Sequence, residues 1–145
     1  MFGEILKPDP MILPIITLVL WTLVMQAWMV IVRLPAMSAA GLDPQAAERT
    51  AELAGRLPKQ VQWKADNYNH LMEQPTIFYA LALALALAGL GDGVNLVCAW
   101  TYVGARVAHS IVHATINIVL YRFSLFAVGT LALLVMAING AIQVF

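Results

Sequence analysis

The sequence predicts an all-α fold, an integral membrane four-helix bundle formed by residues 1–145 as a single domain. Hydrophobic residues make up 61% of the chain and charged residues only 11%, whereas about 25% of the residues of a soluble domain are charged. The apolar residues are grouped into long stretches that short polar segments separate. The net charge is zero, so the chain lacks the basic balance that a nucleic-acid partner would require.

Residues 11–34 are predicted to form the first membrane helix. Residues 11–32 contain no charged side chain, and about 20 apolar residues are enough to cross the hydrocarbon core of a bilayer. Arg33 and Pro35 should end this helix, because proline in a helix interior removes a backbone hydrogen bond.

Residues 35–64 form a polar loop. Asp43-Pro44 is typical of an N-cap followed by proline at the first helical position, so a short helix outside the membrane is expected over about residues 44–56. The basic residues are concentrated in this loop and at position 122. By the positive-inside rule the loop is cytoplasmic, and both termini are periplasmic in a bacterial inner membrane.

The second membrane helix is predicted over residues 65–90. Residues 80–88 alternate alanine and leucine, a strand pattern, but a single strand in lipid would leave its backbone unpaired. On a helix, Ala80, Ala84 and Ala88 form a face of small residues suited to close packing. Pro75 should kink the helix just beyond Glu73.

The third and fourth membrane helices are predicted over residues 94–119 and 121–144. Gly91-Asp92-Gly93 is typical of a tight turn before the third helix. The second and third connections are both short, so consecutive helices should be antiparallel neighbours.

Two groups of polar residues indicate a site between these helices. The first group lies in the third apolar stretch at spacings of three, four and four, which places its members on one helical face: Arg106, His109, His113 and Asn117. The second group precedes the second apolar stretch at similar spacing: Asp66, Asn69, His70 and Glu73. Ionisable residues at membrane depth indicate a functional site by default.

The expected register brings Glu73 close to His113. A hairpin about the 91–93 turn sets these two positions opposite each other, with Arg106 about 10 Å deeper. An unpaired arginine there would cost at least ~2.5 kcal/mol. Its partner is therefore expected to be either Glu73 or an acid on a neighbouring subunit.

The order Arg106-Val107-Ala108-His109, then position 113, then Arg122 at the start of the fourth helix, resembles the MAPEG family. MAPEG proteins are the membrane-associated proteins of eicosanoid and glutathione metabolism. The resemblance is to the branch of microsomal prostaglandin E synthases and glutathione transferases, in a bacterial-type member, and Met72-Glu73 followed by Phe78 also fits. It implies a homotrimer that binds glutathione between subunits near the cytoplasmic face. It also implies transferase or peroxidase activity on a lipophilic small-molecule electrophile that arrives from the membrane lipids.

The resemblance also implies roles for individual residues. Arg122 matches the arginine that stabilises the glutathione thiolate, and Glu73 the acid that meets the glutathione amine or a structural arginine. The residues assigned to glutathione binding are Asn69, His70, Glu73, Arg106, His109 and His113. The chain departs from the family pattern at three places: Asn69-His70 replaces an arginine–asparagine pair, His113 replaces a tyrosine, and Phe123 replaces a serine.

Other interpretations of these residues remain open. Arg122 can be an interfacial anchor rather than a catalytic group. A metal could bind His109, His113, His70 and Glu73, although Arg106 and Arg122 would repel a cation, so no metal is assigned. The chain could also be a non-catalytic membrane subunit or a lipid-binding scaffold, so the sequence does not decide whether it is an enzyme.

Overall fold

The computed structural model describes residues 8–43, 45 and 48–145, and within these residues the chain is helical, without strands. This confirms the predicted all-α fold. The five α-helices are α1 (Ile12–Ala39), α2 (Lys59–Leu71), α3 (Pro75–Leu87), α4 (Gly93–Thr115) and α5 (Val119–Val144). Helices α2 and α3 together correspond to the second predicted helix, so the described residues form four long helical segments.

Helix α1 extends further than the sequence predicts. It continues through Arg33 and Pro35 to Ala39, and because α2 already begins at Lys59, the loop comprises residues 40–58 rather than 35–64. The last turn of α1 is stabilised by Met37, which packs with Leu53 and Leu57 in a small buried cluster. This burial offsets the hydrogen bond that proline removes from the helix.

The predicted helix over residues 44–56 is wrong for the part that can be compared. Residues 44, 46 and 47 lie outside the described residues, and the remainder contains only a 3₁₀ helix, Thr50–Leu53. Gly55 then has a φ of +89°, which a right-handed helix cannot contain. A segment this short also gains too few hydrogen bonds to offset helix nucleation.

The second predicted helix is interrupted beside Glu73. Helix α2 ends at Leu71 and α3 begins at Pro75, so the kink predicted at this proline is confirmed as a break over residues 72–74. Proline has no N–H to continue α2 but is well suited to the first turn of a new helix. The alternating alanine and leucine residues of α3 are helical, as predicted, and Ala80 and Ala84 are exposed on it.

The connection between α3 and α4 shifts the register of the two helices. Helix α3 ends at Leu87, Gly89 adopts a φ of +69°, and the Leu90 N–H donates to the Leu85 carbonyl at 2.8 Å. The turn is therefore centred near Leu90 rather than on Asp92. As a result Phe78 stacks on Tyr102, with 4.6 Å between ring centroids, and the predicted register that pairs position 73 with position 113 is wrong.

Helices α4 and α5 are joined by a longer connection than predicted, residues 116–118. Helix α4 ends at Thr115 and α5 begins at Val119, compared with predicted boundaries of 119 and 121. Asn117 has a φ of +51° in the link between them. It therefore does not share a helical face with Arg106, His109 and His113, contrary to the prediction.

Three segments of the described chain are long and apolar enough to cross a membrane: Ile12–Ala39, Lys59–Leu87 and Val119–Val144. Only 17% of the most apolar window of the first segment is buried inside the chain. Large apolar side chains that point outward on α1 and α5 thus need a lipid environment or a partner. Helix α4 has 23 residues and is about 35 Å long, which is long enough to cross a membrane. Its buried polar side chains lower its hydropathy, so it is not one of the three apolar segments.

Candidate functional site

Three histidines from two helices lie together at one end of the bundle. His109 and His113 are one turn apart on the buried face of α4, and His70 projects toward them from the last turn of α2. The ring centroid of His70 is 4.8 Å from that of His109 and 6.0 Å from that of His113, and the α4 pair is separated by 5.7 Å. The structure therefore brings together three of the predicted site residues.

Arg106 lies beneath this cluster and is almost completely buried, with 1% of its surface exposed. Its Nε donates to the Tyr102 hydroxyl at 3.1 Å, and its Nη1 lies 3.5 Å from His70 Nδ1. The guanidinium carbon is also 5.3 Å from the centre of the Tyr102 ring and 5.1 Å from that of Phe126. Aromatic rings and an imidazole thus surround this cation, where the sequence predicted Glu73 or an acid from another subunit.

Arg122 approaches the same cluster from the first turn of α5. Its Nη1 donates to Asn117 Oδ1 at 2.7 Å, whereas its buried Nε has no hydrogen-bond partner among the described residues. The start of a helix also carries backbone N–H groups that favour an anion. Arg122 is therefore a cation with an unused donor, placed where a negative group would be stabilised.

A cavity of about 290 Å³ lies between these groups. It is lined by His70, His109, Val119, Arg122, Phe123 and Phe126. Val119 and Phe123 are 71% and 67% exposed, so the cavity opens onto the apolar outer surface of α5. One wall offers imidazole and guanidinium groups and the other only hydrocarbon, an arrangement suited to a ligand with a polar reacting group and an apolar body.

The second predicted polar group does not form one surface. His70 lines the cavity just described, whereas Asp66 and Asn69 line a separate cavity of about 440 Å³ that also contains Arg33 and Gln62. Glu73 is exposed in the break between α2 and α3 and lines neither cavity. Residues 72–74 are not helical, so Glu73 does not continue the face of α2 that the spacing in the sequence predicts.

Several residues of the site were missed by the sequence analysis. Asn67 and Ser110 are completely buried and form a hydrogen bond of 2.7 Å that joins α2 to α4. Asn67 lies three residues before His70, so helical spacing could have predicted that both side chains lie on the same face of α2. Tyr102 and Phe126 gave no such signal, because aromatic residues on an apolar helix usually only pack.

The geometry bears on the metal hypothesis as well. In the described part of the chain no group of three or more histidine, cysteine or acidic side chains is arranged to hold a metal ion. The His70 and His109 rings instead pack against each other at an interplanar angle of 57°. The cavity between His70, His109 and Arg122 is therefore lined by imidazole, guanidinium and apolar side chains, and no acidic side chain is among its lining residues.

Comparison with curated proteins and with solved structures gives no match. The family model of the MAPEG family matches residues 11–142, which include all five helices except the last residues of α5. With its three apolar segments the protein is an integral membrane protein, and over this match the chain belongs to the MAPEG family.

Proposed function

We propose that this protein binds glutathione at the cavity beside Arg122 and transfers it to, or uses it to reduce, a lipophilic electrophile. The MAPEG family includes glutathione transferases and peroxidases, which sets the class of reaction. The observation that carries the proposal is the buried Nε of Arg122, which lacks a protein partner in the described chain and belongs to a side chain lining an open cavity. A cation placed there lowers the pKa of a bound thiol, and the thiolate is the nucleophile.

The chemistry requires little beyond this activation. In a transfer reaction the glutathione thiol loses its proton, and its sulfur forms a bond to an electrophilic carbon while the leaving group departs or the product takes up a proton. In a peroxidase reaction two glutathione molecules reduce a hydroperoxide to an alcohol and water and become a disulfide. His70 and His109 line the cavity as hydrogen-bonding groups for either reaction.

The second cavity is proposed to receive a carboxylate of glutathione. The family has an arginine where this chain has Asn69, so the cation expected there is missing. Arg33 lines the same cavity as Asn69, and its buried Nη2 has no hydrogen-bond partner among the described residues. We propose that Arg33 provides the charge that the substitution at position 69 removes.

The same proposal includes the assembly and its orientation. Helix α4 crosses the membrane with the three apolar segments, and the end that carries the histidine cluster and Arg122 faces the cytoplasm. Both termini are then periplasmic in a bacterial inner membrane. A homotrimer would contribute the groups that one protomer lacks, with glutathione bound between neighbouring copies and the electrophile entering from the lipid past Val119 and Phe123.

Titration of the purified protein in mild detergent with glutathione tests the function. A ligand that binds only the folded state stabilises it by RT ln(1 + [L]/Kd), about 2.7 kcal/mol at a hundredfold excess over Kd. We expect a higher melting temperature and a thiolate absorbance band at neutral pH. Arg122→Ala should abolish the band and Arg122→Lys should retain part of it, because a point charge still favours the thiolate.

The exposed loop variant Arg56→Ala is the matched control and should behave like the wild type. A titration without thiolate signal or thermal shift up to millimolar glutathione would reject the enzyme and favour the lipid-binding or scaffold alternative. A loss of thermal stability on addition of a chelator would instead support a metal site.

A further inference from the structure

Asn117 has an unusual backbone conformation at the end of α4. It is the non-glycine residue of the described chain with a positive φ, +51°, a value that asparagine tolerates better than most residues. Its N–H donates to the Val112 carbonyl at 2.7 Å. This bond caps the C-terminus of α4 with a residue in the left-handed conformation. The chain then changes direction and enters α5.

The side chain of Asn117 holds the guanidinium of Arg122. Its Oδ1 accepts a hydrogen bond from Nη1 at 2.7 Å, a short distance typical of a bond from a charged donor. The two residues are five apart and belong to different elements, so regular helical spacing does not bring them together. The left-handed turn does, because it reverses the chain direction between them.

We propose that Asn117 is a positioning residue for Arg122. The proposal rests on the function proposed above, in which Arg122 stabilises the thiolate. Asn117 fixes one end of the guanidinium and leaves Nε, which has no partner in the described chain, available to a ligand in the cavity. Without this acceptor the long arginine side chain would be free to extend toward the aqueous interface, as arginines near helix ends do.

Two substitutions separate the backbone role of Asn117 from its side-chain role. Asn117→Gly retains the positive φ and removes the acceptor, whereas Asn117→Ala removes the acceptor and strains the turn. Asn117→Asp retains an acceptor oxygen for Arg122. We therefore expect the glycine and aspartate variants to melt near the wild-type temperature and the alanine variant to melt lower.

The decisive measurement is the pH titration of the thiolate band of bound glutathione. In Asn117→Gly we expect the midpoint to rise by about one pH unit, equivalent to a tenfold loss of thiolate stabilisation. Asn117→Asp keeps an acceptor for Arg122 but adds a negative charge that opposes the thiolate, so its midpoint should stay raised. A purely structural role in the turn would leave the midpoint of the glycine variant unchanged. That result would overturn the inference while the proposed function stood.

A second readout does not depend on glutathione. With ¹⁵N-labelled arginine, the Nε–H signal of Arg122, assigned by its absence in Arg122→Lys, should shift or broaden in Asn117→Gly and be restored in Asn117→Asp. If wild-type protein shows no thiolate band, the proposed function fails, and this signal still reports whether Asn117 holds the guanidinium. An identical signal in wild type and Asn117→Gly would refute the positioning role.

Discussion

Replacing Arg106 by methionine tests whether the buried guanidinium stabilises the bundle. The side chain is 1% exposed, donates to the Tyr102 hydroxyl, and lies 5.1 Å from the Phe126 ring centre. None of its contacts in the described chain is a carboxylate. Methionine retains most of the volume and removes the charge, so the substitution compares the contacts of the cation with the cost of burying it.

These two contributions are of similar size. A hydrogen bond from a charged donor contributes about 1.5–3 kcal/mol and each cation–π contact about 0.5–2 kcal/mol, while sulfur–aromatic contacts would restore about 0.3–1.5 kcal/mol. Burying the charge at the centre of a membrane helix costs about 2.5–3.5 kcal/mol. Taken at the middle of these ranges the contributions nearly cancel, so Arg106→Met should lower the free energy of unfolding by only about 1 kcal/mol. Arg106→Ala also leaves a cavity and should be about 2–5 kcal/mol less stable than Arg106→Met.

Unfolding in mixed micelles of mild detergent and sodium dodecyl sulfate, followed by circular dichroism, gives these free energies. Leu131 is 61% exposed on α5, so Leu131→Met is a control that should match the wild type. If Arg106→Met were as unstable as Arg106→Ala, about 3–5 kcal/mol below the wild type, the reasoning would be refuted. The contacts of the guanidinium would then outweigh the cost of burying it by about as much as in a buried ion pair, whose disruption has a cost of that size.

Two further predictions concern the membrane and the assembly. Reporter fusions at residues 50 and 145 should report opposite sides of the membrane, because the basic loop should remain cytoplasmic; the same side for both would contradict the number of crossings or their direction. Ala84→Leu should disturb a homotrimer in mild detergent, because Ala84 is exposed on the small-residue face of α3 and leucine would separate close-packed backbones. Ala137→Leu makes the same change on the exposed face of α5 and should leave assembly intact, and a native mass of a monomer for the wild type would exclude the trimer.

Local patterns in the sequence predicted much of the fold. Apolar stretches of sufficient length located the segments of α1 and α5, and Pro75 marked the break between α2 and α3. The spacing of His109 and His113 placed both on one face of α4, where they are indeed buried. These features depend on neighbours within one or two helical turns, so the sequence alone contains the necessary information.

The ends of the helices were less predictable, and they decided which residues meet. The cap at Gly89 centres the α3–α4 turn near Leu90, which sets the register that stacks Phe78 on Tyr102. The predicted register would have brought Glu73 to the histidines, whereas His70 is the residue that reaches them. Helical periodicity does not show where a turn is centred. A shift of the turn by a few residues nevertheless changes every contact between the two helices that it joins.

The sequence by itself determined that this protein is helical, belongs in a membrane, and carries histidines and arginines in or beside its apolar stretches, because composition and helical spacing are properties of the chain. Only the tertiary structure decided that Arg106 is enclosed by Tyr102, His70 and Phe126. It also decided that Arg122 is held by Asn117. These contacts depend on where helices end and on which faces pack together, and both are set by burial and capping over the whole bundle.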